Sequence, residues 1–262
     1  MARANSWARR VNVLGLATMG AIVGLWELLV RSRTIDFQFL PAPSGIAEAL
    51  GSLISSGHLF APVVHTLRSA LVGWAIAGVL GIALGVWLGL SNSAWRYSMA
   101  SVEIIRAIPP ISLVPVSLLV FGFSLRMELV VIVYAGAWTV LVNAIDGVRN
   151  LRPELLDVGR MLRMSKLTTI RKLILPSAMP SIIVGLRLAM SLSLVLAVVA
   201  EMIGNPSGLG NALVRSQQAL QPEQMFAYVV TIGVLGVLLN TGLRYVSGRA
   251  FPALAAGGGS VA

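Results

Sequence analysis

The chain has 262 residues, 56% of them hydrophobic and only 11% charged, with a mean hydropathy of +0.85. A soluble domain of that size needs far more polar residues to cover its surface, so a soluble enzyme is excluded. The formal net charge is +10, from 20 Lys and Arg against 10 Asp and Glu, and there is no cysteine, which excludes disulfides and thiolate metal sites.

The apolar residues fall into runs of roughly twenty, the length that crosses a bilayer core as a helix. The expectation is an all-α polytopic membrane protein with six transmembrane helices. Residues 1–10 form an N-terminal tail, and the first span covers Val11 to Val30. Arg9 and Arg10 before an apolar run resemble a secretory signal, but Trp26, Glu27 and Arg31 follow where small residues would mark a cleavage site, so a retained helix is expected. Residues 31–65 form a polar connection that holds both histidines, His58 and His65, in structural or solvated roles.

The second span, Leu67 to Leu90, carries Gly73, Ala77, Gly81, Gly85 and Gly89 at every fourth position. Small residues at that spacing let helix backbones approach closely, so this row is expected to face other helices. The third span, Met99 to Phe121, is interrupted by Pro109, Pro110 and Pro115. Proline removes backbone donors, and a broken helix at membrane depth needs protein or a cavity to satisfy the freed carbonyls. Such helices often line a permeation route, which makes Arg106, Pro109, Pro110 and Ser112 candidate pathway residues; a simple packing kink is the other reading. Glu103 and Arg106 can pair on one helix face.

The fourth span covers Leu129 to Ile145, the fifth Ser181 to Ile203 and the sixth Met225 to Val246, with residues 251–262 as a second tail. The fifth carries its own small-residue row, Gly185, Ala189, Ser193 and Ala197, continued by Glu201; Ser193 and Glu201 join the pathway candidates. With the N-terminus inside, 13 Lys and Arg fall on inner segments and 5 on outer ones, which places both termini in the cytoplasm. The basic excess is therefore topological, and nucleic-acid binding is not expected.

The longest inner connection, about 146–180, carries seven basic residues in a helical pattern. Pro153 suits a first helical position, and Glu154 and Asp157 suit the early turns. Leu151, Leu155, Val158 and Leu162 share one side of the wheel, with Arg152, Arg160, Arg163 and Lys166 on the other. Ser165 is placed to cap a second short helix bearing Leu167, Ile170 and Leu173, before Leu175-Pro176 and Pro180 punctuate the entry to the fifth span. Such a module either lies on the anionic leaflet or docks into a soluble partner.

Asp157-Val158-Gly159, Arg163, Leu173, Leu175 and Pro176 resemble the EAA loop of bacterial ATP-binding-cassette (ABC) importer permeases. Asp stands for the motif's Glu, Gly159 for its second Ala, Arg163 for its glycine, and Leu173 for its Ile. Leu40 to Ser44, Arg106 to Pro110, Leu175 to Arg187 and Glu201 to Leu209 extend the resemblance over roughly residues 25 to 250, to the branch serving sulfonates, taurine and nitrate. The resemblance implies a type I ABC importer fold in which residues 66–250 form the permease core and the 146–180 loop is the cytoplasmic coupling helix. It implies a second permease subunit, identical or paralogous, two cytoplasmic ABC ATPase subunits and an extracytoplasmic solute-binding protein. Asp157, Val158, Gly159, Arg160, Arg163, Met164, Ser165 and Lys166 would then couple to the ATPase, which binds ATP and Mg; this chain needs no cofactor. The chain would sit in the bacterial cytoplasmic membrane, surrounded by lipid. An ion-coupled secondary transporter or channel is the alternative, and it would need acidic or histidine groups deep in the membrane. An intramembrane enzyme lacks support: no catalytic residue set and no metal-ligating motif is present.

Overall fold

The computed structural model describes residues 13–32, 37, 39–151 and 153–250. The described residues form helices: α1 (Val13–Arg31), α2 (Pro43–Ser55), α3 (Phe60–Leu90), α4 (Asn92–Arg106), α5 (Leu113–Phe121), α6 (Leu125–Arg149), α7 (Pro153–Met161), α8 (Lys166–Thr169), α9 (Leu175–Gly204), α10 (Gly208–Gln218) and α11 (Pro222–Ala250). Among the described residues, α3, α6, the Lys166–Gly204 run and α11 are each long and apolar enough to cross a membrane; α4 with α5 makes a fifth if counted as one span. The first expected span begins at Val11, outside the described residues, and continues as α1.

The chain divides into two compact units, one made of α1, α2 and the Leu213–Val230 segment, the other of Phe60–Ala212 and the rest of α11. In the first, Glu27 of α1 caps α2: its carboxylate accepts from the Ser44 backbone N–H at 3.0 Å and the Ser44 hydroxyl at 2.8 Å. That satisfies donors a helix start leaves open. Arg31 pairs with the same carboxylate, and Trp26 meets Phe226 edge-on with centroids 6.2 Å apart. The helix α2 lies within the stretch expected to be a polar connection.

In the second unit, α3, α6 and α9 form the centre. The glycine row of α3 faces α6 as expected. A Cβ added at Gly81 would stand 2.6 Å from Val140 Cβ, at Gly85 2.6 Å from Ala144 Cβ and at Gly89 2.8 Å from Val148 Cβ. Gly73 abuts Ile132 and Ala77 abuts Gly136. Both members of these pairs advance by four, so α3 and α6 run parallel. By contrast, Gly147 lies against Ala178 and Ser181 while Gly185 lies against Asn143, so α9 runs antiparallel to α6. Val114, Met127, Val131, Ile132, Leu194 and Ala197 fill the core between them.

The third expected span is two helices. α4 ends at Arg106, a short 3₁₀ turn covers Pro110–Ser112, and α5 follows with its axis bent by 67°. Consecutive prolines cannot donate to the helix ladder and force the preceding residues extended, so the helix stops outright. The freed carbonyls find donors: the Tyr134 hydroxyl reaches the Ile105 carbonyl and the Ser112 hydroxyl the Pro109 carbonyl at 2.7 Å.

A second departure lies after α7. α8 starts at the expected Ser165 cap but does not end before the fifth span: it passes through a π-helical stretch, Ile170–Ile174, directly into α9, so that Pro176 and Pro180 lie inside one continuous run. The wider π turn accommodates the ladder disruption that Pro176 brings.

Candidate functional site

Three features of the second unit combine polarity with shape: a cavity beside the α4–α5 break, the connection between α6 and α9, and a buried polar cluster at the far end of the bundle.

The cavity holds about 500 Å³ and lies between the end of α4 and the facing sides of α6 and α9. Arg106 and Pro110 line it, with Tyr134, Trp138, Asn143 and Leu192 among the other walls. Arg106 also pairs with Glu103 at 2.8 Å, as expected, and both side chains stay about half exposed. Trp138 forms a wall of the cavity, while its indole N–H is buried out of reach of solvent with no protein acceptor. Pro109 and Ser112 are exposed beside the break. Ser193 and Glu201 lie elsewhere. Ser193 is buried with its hydroxyl on the Ala189 carbonyl at 2.7 Å, a bond within its own helix, and Glu201 is fully buried at the end of α9. Neither lines the cavity, because the α9 face that carries them packs on α6 and α3.

The connection starts as expected, with Pro153 opening α7. Its end is a Schellman turn: the Met164 N–H reaches the Gly159 carbonyl and the Arg163 N–H the Arg160 carbonyl, both at 3.0 Å. That closure needs a left-handed residue, and Arg163 occupies it with φ 47°. Ser165 caps α8, accepting from the Thr168 N–H at 3.3 Å. Asp157 pairs with Arg160 at 3.0 Å with both side chains exposed. Arg163, Ser165 and Lys166 are exposed and Met164 is partly so; the Val158 side chain lies outside the described residues. Gly159, expected among the coupling residues, faces inward. It is buried under its own chain, a Cβ there standing 3.2 Å from Leu173 Cδ1 and 3.4 Å from Thr169 Cγ2. Leu151 and Ile170 pack on the α6–α9 end, while Met161, Leu162 and Leu167 are left exposed.

The third feature is the one the sequence reading missed. His65 lies inside α3, not in a polar connection, with its Nε2 3.0 Å from Glu128 Oε1. Glu128, in the first turn of α6, is fully buried and also accepts from the Asn205 amide. Glu201 Oε2 accepts from the Thr66 hydroxyl and the Gly210 N–H, both at 2.9 Å, and Thr66 in turn accepts from the Leu209 N–H at 2.9 Å. Gly208, at φ 92°, lets the chain turn directly over the Glu201 carboxyl, where any Cβ would collide. The available signals were Glu128 four residues after Ser124, and the Gly208-Leu209-Gly210 turn after Glu201. Neither reveals that the starts of α3 and α6 meet the end of α9.

Comparison with known proteins decides the family. Residues 79–251 match the family of binding-protein-dependent transport system inner membrane components. The chain belongs to that family. It is similar to the putative aliphatic sulfonates transport permease protein SsuC of Bacillus subtilis, at 29% identity over 88% of this chain and 83% of the relative. It resembles the nitrate import permease protein NrtB of Leptolyngbya laminosa at 29% identity, over 88% of this chain and 85% of that protein. The fold is that of a chain of the MetNI methionine ABC transporter in an inward-facing form, with a TM-score of 0.62 at 19% identity, covering 74% of this chain and 94% of that one. This permease is thus a multi-pass transport subunit of an ABC importer, not an enzyme.

Proposed function

We propose that the permease spans the cytoplasmic membrane six times with both termini inside, and that its α6–α9 connection is the coupling element for a cytoplasmic ATPase. Parallel α3 and α6 support this count, since a chain leaving one and entering the other must cross back between them, through α4 and α5. α1 supplies the remaining span ahead of the core at 66–250, with 31–65 outside the cell. The observation that carries the reading is the turn at Arg163: a left-handed backbone stands where the EAA loop has its glycine, so the shape is kept although the residue is not. That turn presents Asp157, Arg160, Met161, Leu162 and Leu167 away from the bundle. Apolar residues ringed by basic ones fit a groove on a partner, and solvent-exposed ion pairs there add about 0–1 kcal/mol each. Val158, Met164, Ser165 and Lys166 complete the module.

The assembly is a pair of permease subunits, two ATPase chains that bind ATP and Mg, and an external binding protein. Its solute is small and anionic, in keeping with the sulfonate and nitrate named for its relatives. Arg106 meets that solute at the cavity, beside Pro109, Pro110 and Ser112. The permease does its work by moving: no group in the loop performs chemistry, and nucleotide-driven closure of the ATPase pair rocks α6 and α9 through it.

One double variant tests the coupling, and cysteine labelling tests the orientation. Asp157→Arg combined with Leu162→Glu changes only exposed side chains, and is expected to leave membrane insertion intact while abolishing ATP-driven uptake in proteoliposomes. Wild-type uptake in that double variant overturns the coupling role. Single cysteines at Ser165 or Thr168 are expected to react with an impermeant reagent only after the membrane is opened; labelling in intact cells overturns the orientation.

A further inference from the structure

The cluster at the end of α9 holds two buried carboxyl groups whose oxygens its partners satisfy only in part. Glu128 and Glu201 are both fully buried, and each has one oxygen, Oε2 and Oε1 respectively, with no hydrogen-bond partner. Their other oxygens are held by Asn205, His65, Thr66 and Gly210. Buried carboxylates persist only when paired or metal-bound, and a free carboxylate oxygen out of water is costly. One ligand atom each from His65, Glu128 and Glu201 lie within 4.8 Å of one another.

We propose that His65, Glu128 and Glu201 form a binding site for one divalent transition-metal cation such as Zn²⁺ or Mn²⁺. The chemistry of the donors fits: one imidazole nitrogen and two carboxylates suit these ions, whereas a calcium site would be built from oxygen alone. The charge fits as well, since two carboxylates and a neutral imidazole cancel a dication. The geometry fits at the one ligand pair whose distance is fixed. Two ligands about 2.1 Å from one ion stand about 3.0 Å apart at the right angle of an octahedral ion such as Mn²⁺ and about 3.4 Å apart around tetrahedral Zn²⁺, and His65 Nε2 stands 3.0 Å from Glu128 Oε1, nearer the octahedral value. Asn205 and Thr66 orient the carboxylates from outside, as hydrogen-bonding neighbours do around metal ligands. The Asn205 amide orientation is fixed by its Oδ1, which accepts from the Ser207 N–H at 3.1 Å and so leaves Nδ2 for Glu128. Because the three ligands come from the start of α3, the start of α6 and the end of α9, the ion fastens the bundle at the end opposite the α6–α9 connection.

The test uses the full permease, purified with its ATPase on an affinity tag without histidines, stripped by chelator and titrated with Zn²⁺ or Mn²⁺ in excess Mg²⁺. The expected result is about one equivalent bound per permease chain. Glu128→Gln, Glu201→Gln or His65→Gln is expected to weaken it by about tenfold or more. Electron spin echo spectroscopy on the Mn²⁺ complex is expected to show coupling to one imidazole nitrogen. Absence of saturable binding, or binding unchanged in the triple Gln variant, overturns the site. If the variants fail to assemble, the wild-type spectrum decides: bound Mn²⁺ without nitrogen coupling also overturns it.

Discussion

Replacing Gly81 by alanine tests whether the bundle depends on close approach of α3 and α6. The added methyl would stand 2.6 Å from Val140 Cβ and 2.8 Å from the Ala137 carbonyl oxygen. Non-bonded carbon pairs settle at about 3.5–4.0 Å, so the two helices must part by roughly 1 Å at that level. One end of the contact is backbone, which cannot swing aside as a flexible side chain would. Overpacking of this kind costs about 1–3 kcal/mol, against which alanine returns up to about 1 kcal/mol of helix propensity. Gly242, in α11, is the matched control, since nothing lies within 4 Å of its added Cβ; there only the propensity gain applies. The two alanine variants should therefore differ by about 1–3 kcal/mol. At about 2–4 °C per kcal/mol for a chain of this size, that is a gap of roughly 2–12 °C in the melting of detergent-solubilised protein. Gly81→Leu extends the series and should abolish uptake. Equal melting of Gly81→Ala and Gly242→Ala would refute the packing argument, and would mean that the α3 row does not sit against α6.

Three further outcomes follow from the same geometry. Arg163→Gly relieves a left-handed residue that costs a side-chain-bearing residue about 1 kcal/mol; the variant should melt higher and keep its uptake, and a lower melting temperature would contradict the Schellman closure. Gly159→Trp should lower the melting temperature of the isolated permease, because the indole displaces Leu173 and Thr169 within the chain; a variant that loses uptake while melting like the parent would show instead that this surface is open. Thr66→Val removes one of the two donors to Glu201 Oε2 and the acceptor for Leu209, leaving the buried Leu209 N–H orphaned at about 1–3 kcal/mol; unchanged melting would show that water replaces the hydroxyl.

The parts of the fold legible in the sequence were those carried by periodicity. A four-residue glycine row implies a close helix neighbour whatever that neighbour is, and Gly81 and Gly85 have one in α6. Pro153 and Ser165 marked helix starts because capping is decided within one turn of chain. Local rules fell short where a longer-range partner takes over. The tandem prolines did read as a break; what spacing could not supply was its partner, Tyr134, twenty-nine residues from Ile105, whose hydroxyl takes up a freed carbonyl. Pro176 read as marking the entry to the fifth span and does stand in the first turn of α9, but the π turn before it joins that helix to α8 without a break. The helix α2 was missed because it is short and its capping carboxylate, Glu27, belongs to another helix.

The same distinction separates the two polar regions of the bundle. The α6–α9 connection was readable because its residues are consecutive, and the structure alters it at one place that matters: Gly159 serves the internal packing of the loop, and the residues left exposed are those around Asp157, Leu162 and Leu167. The cluster at the other end draws His65, Glu128 and Glu201 from three helices, and no spacing rule links positions 63 and then 73 residues apart. Its Glu201 sat in the small-residue row of the fifth span and so read as part of a pathway. In the structure the carboxylate is turned away from the cavity: its Oε2 accepts from the Thr66 hydroxyl and the Gly210 N–H, and the Thr66 hydroxyl in turn accepts from the Leu209 N–H. A residue that fastens helix ends and a residue that meets the solute make opposite predictions. Glu201→Gln should act first on melting and on cation binding, whereas Arg106→Ala should act first on the solute concentration needed for half-maximal uptake. Observing the reverse pattern would return Glu201 to the pathway.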